Sequence, residues 1–193
     1  PVGTQHLRQG LDLGQDGIFL EVVAGLSAQF SGRGMQFVLH LKAEHEPALP
    51  VYQKLIGKAL LDGFVLIDPQ DNDPRIDFLR KAGIPFVVHG RSGRTIDYPY
   101  FDIANEQLSR DLTAHLTARG HRRVAFLNGI AGRSYVTVRE QGYLKALRDA
   151  GVDRLSHLHI NSDMDEANGL TGTIRLFDGD APRPTAINAL ASW

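Results

Sequence analysis

The stretch from Arg119 to Tyr143 constrains the fold of this chain more than any other. It begins with a glycine and a basic turn, continues as the apolar run 124–127, and passes through Asn128 and Gly129 to Arg139. The glycine ends a helix, and the apolar run is typical of a buried strand. The stretch therefore predicts half of a parallel α/β layer, with Arg139 aimed at the carboxyl end of the strand, where open α/β sheets bind ligands.

Apolar runs alternate with amphipathic stretches along most of the sequence, which predicts repeated βα units and a parallel sheet. The predicted strands are residues 36–41, 63–67, 84–89, 100–103, 123–128, 155–160 and 185–190. The predicted helices are residues 17–31, 51–61, 73–82, 106–119, 134–150 and 163–177. Residues 1–5 are a weak further strand because polar side chains interrupt their apolar pattern.

Helix boundaries have the residues expected of them. Asp73 precedes Pro74 as an N-cap before a first-turn proline, and three helices are predicted to end at glycines 83, 120 and 151. The polar and aromatic stretch 92–105 follows a complete βαβαβ set. We therefore expect a boundary between two lobes there.

Composition narrows the class of protein. With 193 residues and 42% hydrophobic content, the chain can bury the core of one large domain or two small lobes. A net charge of -1 gives no broad positive surface for nucleic acid, and the lack of cysteine excludes disulfides and thiolate sites.

No apolar run reaches the roughly 18–20 residues that span a bilayer, and no signal peptide is evident, so we expect a soluble chain. Both ends break off abruptly, which indicates a fragment.

Enzyme signatures are missing from the sequence. It has no Gly-x-Ser-x-Gly elbow, no Gly-Lys-Ser/Thr phosphate loop and no His-Glu-x-x-His helix. His157 and His159 alternate on a predicted strand without an evident third metal ligand, so a surface or packing role is favoured for them over metal binding. His89 ends a predicted buried strand, where it either contacts a ligand or hydrogen-bonds a loop. We expect no enzymatic activity, no cofactor and no metal.

Arg139 has the sharpest functional interpretation among the polar residues. It lies in the first turns of a predicted helix that follows a strand and a glycine loop, so its planar donors can reach a hydroxyl pair or a carboxylate at the sheet edge. The alternative is a surface salt bridge with Glu140 or Glu106. The residues alone leave both interpretations open.

Aromatic side chains gather at predicted loop and strand ends, namely Phe19, Tyr98, Tyr100, Phe101 and Tyr135. Sugars present apolar C–H faces ringed by hydroxyls, and their sites combine flat aromatic surfaces with planar hydrogen-bonding groups. We expect most of these rings to lie in the core and two or three to line a pocket.

Several motifs in this order resemble the effector-binding core of LacI/GalR-type bacterial transcription regulators, which shares its fold with periplasmic sugar-binding proteins. The resemblance extends from Asp16 to Ala189, and its motifs are residues 62–66, 83–88, 120–126 with Arg139-x-x-Gly142-Tyr143, and 184–187. The runs 89–91 and 98–102 resemble a subgroup that regulates uptake of α-glucosides or related oligosaccharides. The resemblance implies an α/β, two-lobed, periplasmic-binding-protein-like type I fold, each lobe a parallel sheet flanked by helices. Residues 1–103 would form the N-terminal lobe and 104–193 an incomplete C-terminal lobe.

The same resemblance implies an effector site, carried over by motif position, at Asp16, Phe19, His89, Phe101, Asp102, Tyr135, Arg139 and Met164. Arg139 matches the family arginine that holds effector hydroxyls. The chain departs from the family where polar partners are usual, because it has Ala104, Ala191 and Ser192 at those positions. We expect Asp102 to substitute for the carboxylate missing at position 104.

The function implied by the resemblance is that of a sugar-responsive, cytoplasmic transcription repressor. The effector would be a mono- or oligosaccharide, the regulator a homodimer without membrane contact, and operator DNA would be bound through a headpiece absent from this chain. One alternative is a periplasmic sugar-binding protein of a transport system, which would require a secretory signal. Another is an α/β enzyme acting on a nucleotide or sugar, which lacks an acid, base or nucleophile set.

Overall fold

A computed structural model of the chain describes residues 17–40, 47–57, 61–92, 96–155, 158–162, 166–178 and 180–190. These residues form two compact units, one that ends at Leu61 and one that begins at Asp62. The weak strand predicted at residues 1–5 lies outside the described residues. The lobe boundary predicted after residue 103 falls inside the second unit and stays a prediction.

The first unit contains two described helices, α1 (Gly17–Ser31) and α2 (Ala48–Gly57). Helix α1 has the predicted bounds, whereas α2 begins three residues before the predicted start at Val51. The strand predicted at residues 36–41 is wrong for residues 36–40, which have no strand structure, and Leu41 lies outside the described part. The segment instead folds back on the end of α1, since the Phe37 ring stacks on Phe30 with centroids 5.9 Å apart.

The second unit begins with a parallel sheet of β1 (Phe64–Ile67), β2 (Phe86–His89) and β3 (Tyr100–Phe101), in that order. Helix α3 (Pro74–Lys81) connects β1 to β2. The predicted N-cap is confirmed, because the Asp73 carboxylate accepts a hydrogen bond from the Arg75 backbone N–H at 2.9 Å. Burial alone would raise the pKa of Asp73, but bonds from Arg75 and the Gln70 N–H lower it.

A further parallel sheet has the order β5-β4-β6, with β4 (Val124–Asn128) between β5 (His159–Asn161) and β6 (Ala186–Ala189). Its helices are α4 (Asn105–Ala118), α5 (Ser134–Asp149) and α6 (Glu166–Phe177). The central strand is buried on both faces, with one cluster around Phe126 and Tyr143 and another around Ala125, Leu158 and Leu176. Continuous apolar sequence is what such a strand requires.

Strand bounds differ from the prediction where the backbone leaves the sheet early. Strand β3 ends at Phe101 rather than at Ile103, because the Ile103 carbonyl accepts the Asn105 N–H at 2.8 Å in the turn into α4. Strand β5 begins at His159 rather than Leu155, since the Leu158 N–H closes a turn onto the Leu155 carbonyl at 3.0 Å. The glycine helix ends are confirmed, with φ of 66°, 90° and 61° at positions 83, 120 and 151.

Helices α4 and α5 pack unusually closely at Gly142. A Cβ atom at this position would lie 2.1 Å from the Glu106 carbonyl oxygen and 3.0 Å from the Arg110 backbone nitrogen. Only a glycine permits this approach of two helix backbones. The contact sets the distance between the start of α4 and the middle of α5, and both helices contribute to the site described next.

Candidate functional site

Arg139 lies in the interior of the second unit and is only 1% exposed. Its Nε donates to Asn105 Oδ1 at 2.7 Å, and its Nη1 donates to the Leu190 carbonyl at 3.3 Å. Burial lowers the pKa of the guanidinium, while Tyr135 and Asp102 act in the opposite direction. An arginine nevertheless stays protonated in proteins. The site therefore holds a buried cation between the start of α4 and the end of β6.

The alternative interpretation of Arg139, a surface salt bridge, is wrong. Glu140 pairs with Arg154 at 3.0 Å, and Glu106 lies 3.9 Å from Lys145. Neither glutamate pairs with Arg139 in the described structure, and the arginine side chain is buried rather than at the surface.

The ring of Tyr135 lies over the guanidinium, with Arg139 Cζ 4.9 Å from the ring centroid. Both residues belong to α5 and are four positions apart, so they occupy the same helix face. A cation over an aromatic face is attracted by the ring quadrupole, more strongly when water is excluded. Tyr135 therefore helps to hold the guanidinium in place.

Asp102 acts on Arg139 through an amide. Its Oδ1 accepts from Asn105 Nδ2 at 3.1 Å, so the Asn105 amide has to present its oxygen to Arg139. Asp102 Oδ2 accepts from Arg91 Nε at 2.8 Å. A hydrogen-bonded chain thus runs from Arg91 on the first sheet's side to Arg139 on α5. Asp102 supplies the negative charge of this chain, and its substitution for the carboxylate missing at Ala104 stays a prediction.

His89 and Phe101 form an aromatic pair at the carboxyl ends of β2 and β3. The two residues are register partners, and their rings stack with centroids 4.7 Å apart and planes 14° apart. Phe101 is 43% exposed, and the next residue in the chain is Asp102. The Phe101 ring thus offers an exposed aromatic surface at the carboxyl end of β3. Tyr98 instead packs inward, and its hydroxyl donates to the Ser92 carbonyl at 2.7 Å.

The loop after β1 contacts the loop that precedes α5. The Asp71 N–H donates to the Gly132 carbonyl and the Ser134 N–H to the Pro69 carbonyl, each at 3.1 Å. Asp68 pairs with an Arg133 nitrogen at 3.1 Å. Burial raises the pKa of Asp68, and the nearby Arg133 opposes this shift. The carboxyl ends of β1 and β4 are thereby joined at the edge where ligands of such sheets bind.

The sequence-predicted site residues have different outcomes. Asp102, Tyr135 and Arg139 come together through Asn105 and a cation–aromatic contact, and His89 and Phe101 stack on each other. Asp16 and Met164 lie outside the described residues, and Phe19 belongs to α1 of the first unit. For all eight residues, participation in effector binding stays a prediction.

Sequence reasoning missed three contributors, namely Asn105, Asp68 and the carbonyl of Leu190. Asp68 directly follows the apolar run 64–67, so the rule that selected His89 at a strand's carboxyl end would also have selected Asp68. Asn105 begins a helix after a strand and has the same kind of signal. The Leu190 carbonyl has no signal, because a backbone group is present at every position.

His159 has a packing role, which is one of the two roles favoured for it. It is tilted against Phe126 with centroids 5.3 Å apart, and its ring nitrogens contact Arg154 at 2.9 Å and Asn161 at 3.1 Å. His157 lies outside the described residues. Within the part of the chain that is described, no group of acidic or histidine side chains is arranged to hold a metal ion. The described helices include none with the length and apolarity to cross a membrane.

The chain is similar to known proteins over most of its length. Residues 12–189 match the family model described as periplasmic binding proteins and sugar binding domain of LacI family. The chain is 34% identical over 171 residues to the HTH-type transcriptional regulator AglR of Rhizobium meliloti (strain 1021), covering 88% of this chain and 47% of AglR. It is 33% identical over 172 residues to RafR of Escherichia coli, covering 89% of this chain and 50% of RafR. The chain thus spans about half the length of these curated relatives.

A solved structure described as a transcriptional regulator CelR-cellobiose complex superposes with a TM-score of 0.71 at 30% identity, covering 89% of this chain and 52% of that one. The expected fold is thereby confirmed as an α/β, periplasmic-binding-protein-like fold with parallel sheets and helices. Because the family model matches almost the whole chain, the protein belongs to the family of periplasmic binding proteins and sugar-binding domains of LacI-type regulators.

Proposed function

We propose that this chain is the effector-sensing core of a sugar-responsive transcription regulator, without enzymatic activity of its own. The observation that carries the proposal is the buried Arg139, which Asn105 and Tyr135 hold at the carboxyl end of the strands. A fixed planar cation at this edge suits the hydroxyl groups of a sugar. The relatives support a regulator over a transport protein, since AglR and RafR are named as HTH-type transcriptional regulators.

The chemistry of the site favours a carbohydrate over a phosphate ester or a nucleotide. The Arg139 cation stands near the carboxylate of Asp102, so the site is not an unopposed positive cradle. The stacked rings of His89 and Phe101 offer an apolar plane of the kind that packs on the C–H face of a pyranose. The structure described as a CelR-cellobiose complex supports a disaccharide or larger oligosaccharide as effector.

The names of AglR and RafR as HTH-type transcriptional regulators support a link between sugar binding and DNA binding. We infer that residues 1–103 and 104–193 form two lobes and that sugar binding favours one arrangement of them, by its differential affinity for the two states. The separate sheets, one ending at Phe101 and the other beginning at Val124, support this division. In a cytoplasmic homodimer, such a change would alter the spacing of two helix-turn-helix heads on operator DNA.

A sugar screen tests the proposal. The protein that contains this chain is mixed in turn with glucose, maltose, sucrose, melibiose, raffinose and cellobiose. Its thermal unfolding is then followed by calorimetry. A sugar present at 100 times its dissociation constant should stabilise the folded protein by about 2.7 kcal/mol. The same sugar concentration should stabilise the Arg139→Met variant by only about 0.3–1.3 kcal/mol, because loss of a charged hydrogen bond weakens binding by about 1.5–3 kcal/mol. If no sugar raises the melting temperature, or if bound sugar is turned over, the proposed function is wrong.

A further inference from the structure

Gly129, at the end of β4, is pressed against the ring of Tyr135. A Cβ atom at this position would lie 2.5 Å from the Tyr135 Oη, 2.9 Å from its Cε2 and 3.0 Å from its Cζ. All three atoms belong to one rigid phenol group, so no bending of a flexible chain end relieves the clash. The whole side chain would have to rotate away.

The glycine is not needed for its backbone conformation. Gly129 has no positive φ, in contrast to its neighbour Gly132 with a φ of 89°. An L-residue is therefore compatible with the backbone at position 129, and what excludes it is the space taken by Tyr135. Glycine at position 129 therefore leaves free the space that the Tyr135 ring occupies.

The backbone on both sides of the contact is held by Asn128, which is 1% exposed. Its Oδ1 accepts the Gly129 N–H at 3.0 Å, and its Nδ2 donates to the Val136 carbonyl at 2.9 Å. One amide thus ties the end of β4 to the first turn of α5. Because neither the strand end nor the helix can retreat, a larger residue at position 129 has to displace the ring.

We propose that Gly129 is a positioning residue of the sugar site, which lets Tyr135 lie against the end of β4 and over the Arg139 guanidinium. The proposal rests on the proposed function and deepens it, because residue size at position 129 would set how firmly the site binds its sugar. Displacing the ring removes the aromatic face 4.9 Å from Arg139 Cζ and allows the guanidinium to turn. Its bond to Asn105 at 2.7 Å would lengthen as a result.

A double-variant cycle tests the role of Gly129. Gly129→Ala, Tyr135→Ala and the double variant are titrated with maltose, raffinose and cellobiose by calorimetry. Gly129→Ala should weaken binding about tenfold, on the scale of a lost cation–aromatic contact in a site from which water is excluded. In the Tyr135→Ala background the same change should have no further effect. The matched control is Gly169→Ala in α6, where a Cβ meets no atom within 4 Å.

A second readout is independent of any sugar. The Nε–Hε signal of Arg139 in a ¹H–¹⁵N NMR spectrum senses the ring current of Tyr135. Gly129→Ala should move this signal in the same direction as Tyr135→Ala does, and Gly169→Ala should leave it in place. If Gly129→Ala does not fold, the double variant should recover a cooperative thermal transition, because it removes the clash.

The outcomes separate this inference from the proposed function. Wild-type affinity and an unmoved Arg139 signal in Gly129→Ala overturn the positioning role. The role is also overturned if the affinity loss of the double variant equals the sum of the losses of the two single variants. A double variant that stays unfolded overturns it as well. If none of the sugars binds the wild-type protein while the NMR signal moves as expected, the positioning role holds and the sugar proposal fails.

Discussion

Replacing Gly142 by alanine is the sharpest test of how the site is assembled. The new Cβ would lie 2.1 Å from the Glu106 carbonyl oxygen, which is 0.9 Å short of the 3.0 Å below which real Cβ contacts are essentially never seen. The neighbouring atoms are helix backbone, so no side-chain rotation relieves the overlap. Helices α4 and α5 would have to separate by roughly this amount.

The expected cost follows from two opposing terms. Overpacking of a well-packed contact destabilises by about 1–3 kcal/mol, and a backbone-to-backbone clash belongs at the upper end of that range. Alanine in place of glycine inside a helix recovers about 1 kcal/mol. The net loss of unfolding free energy should therefore be about 2 kcal/mol. Separation of the helices should also stretch the Asn105–Arg139 bond of 2.7 Å.

Urea unfolding followed by circular dichroism measures this loss, and a sugar titration measures its effect on the site. Gly169→Ala is the control, because the same substitution inside α6 meets nothing within 4 Å. It should gain up to about 1 kcal/mol from helix propensity. If Gly142→Ala proves as stable as the wild type, the close approach of α4 and α5 does not constrain the protein, and the reasoning is refuted.

Three further predictions concern single side chains. Arg139→Met should weaken sugar binding by about 1.5–3 kcal/mol, the cost of a lost charged hydrogen bond, and an unchanged calorimetric affinity would remove Arg139 from the site. Asp102→Asn should weaken sugar binding by about 1 kcal/mol in the same titration, because the Asn105 amide loses its carboxylate partner. Wild-type affinity in this variant would contradict the role of the hydrogen-bonded chain. Burial lowers the pKa of His159 in the folded protein, although the charge of Glu140 opposes the shift. Near the ordinary histidine pKa, the unfolded protein therefore binds more protons than the folded protein does. The free energy of unfolding should accordingly fall as the pH drops from about 7 to 5, and it should fall less steeply in His159→Gln. Urea unfolding at a series of pH values measures both slopes, and equal slopes in the two proteins would refute the prediction.

Much of the fold could be predicted from local pattern. Strands β1, β2, β4 and β6 appear within two residues of the predicted bounds, because continuous apolar runs between glycine and polar turns have few other solutions. The same rule failed for residues 36–40, where Phe37 stacks on Phe30 of α1 while Val38 and Leu39 stay exposed instead of joining a sheet. A short apolar run is therefore compatible with a strand but does not by itself require one.

The candidate site could be predicted only in part. Arg139 was selected because it follows a strand and a glycine loop, yet its sequence context fitted a surface salt bridge equally well. The deciding contacts come from Asn105 and the Leu190 carbonyl, which are 34 and 51 positions away in the chain. Partners at such separations become visible only when the helices and strands are packed.

The sequence by itself determined the alternation of strands and helices, the glycine helix ends and the Asp73 cap, since these depend on interactions within a few residues. The tertiary structure alone decided that Arg139 is buried, that Asp102 orients it through Asn105, and that Gly129 leaves room for Tyr135. The physical reason is that burial, hydrogen-bond geometry and steric fit are properties of pairs of distant segments. Local sequence sets which elements form, and their packing determines which side chains meet.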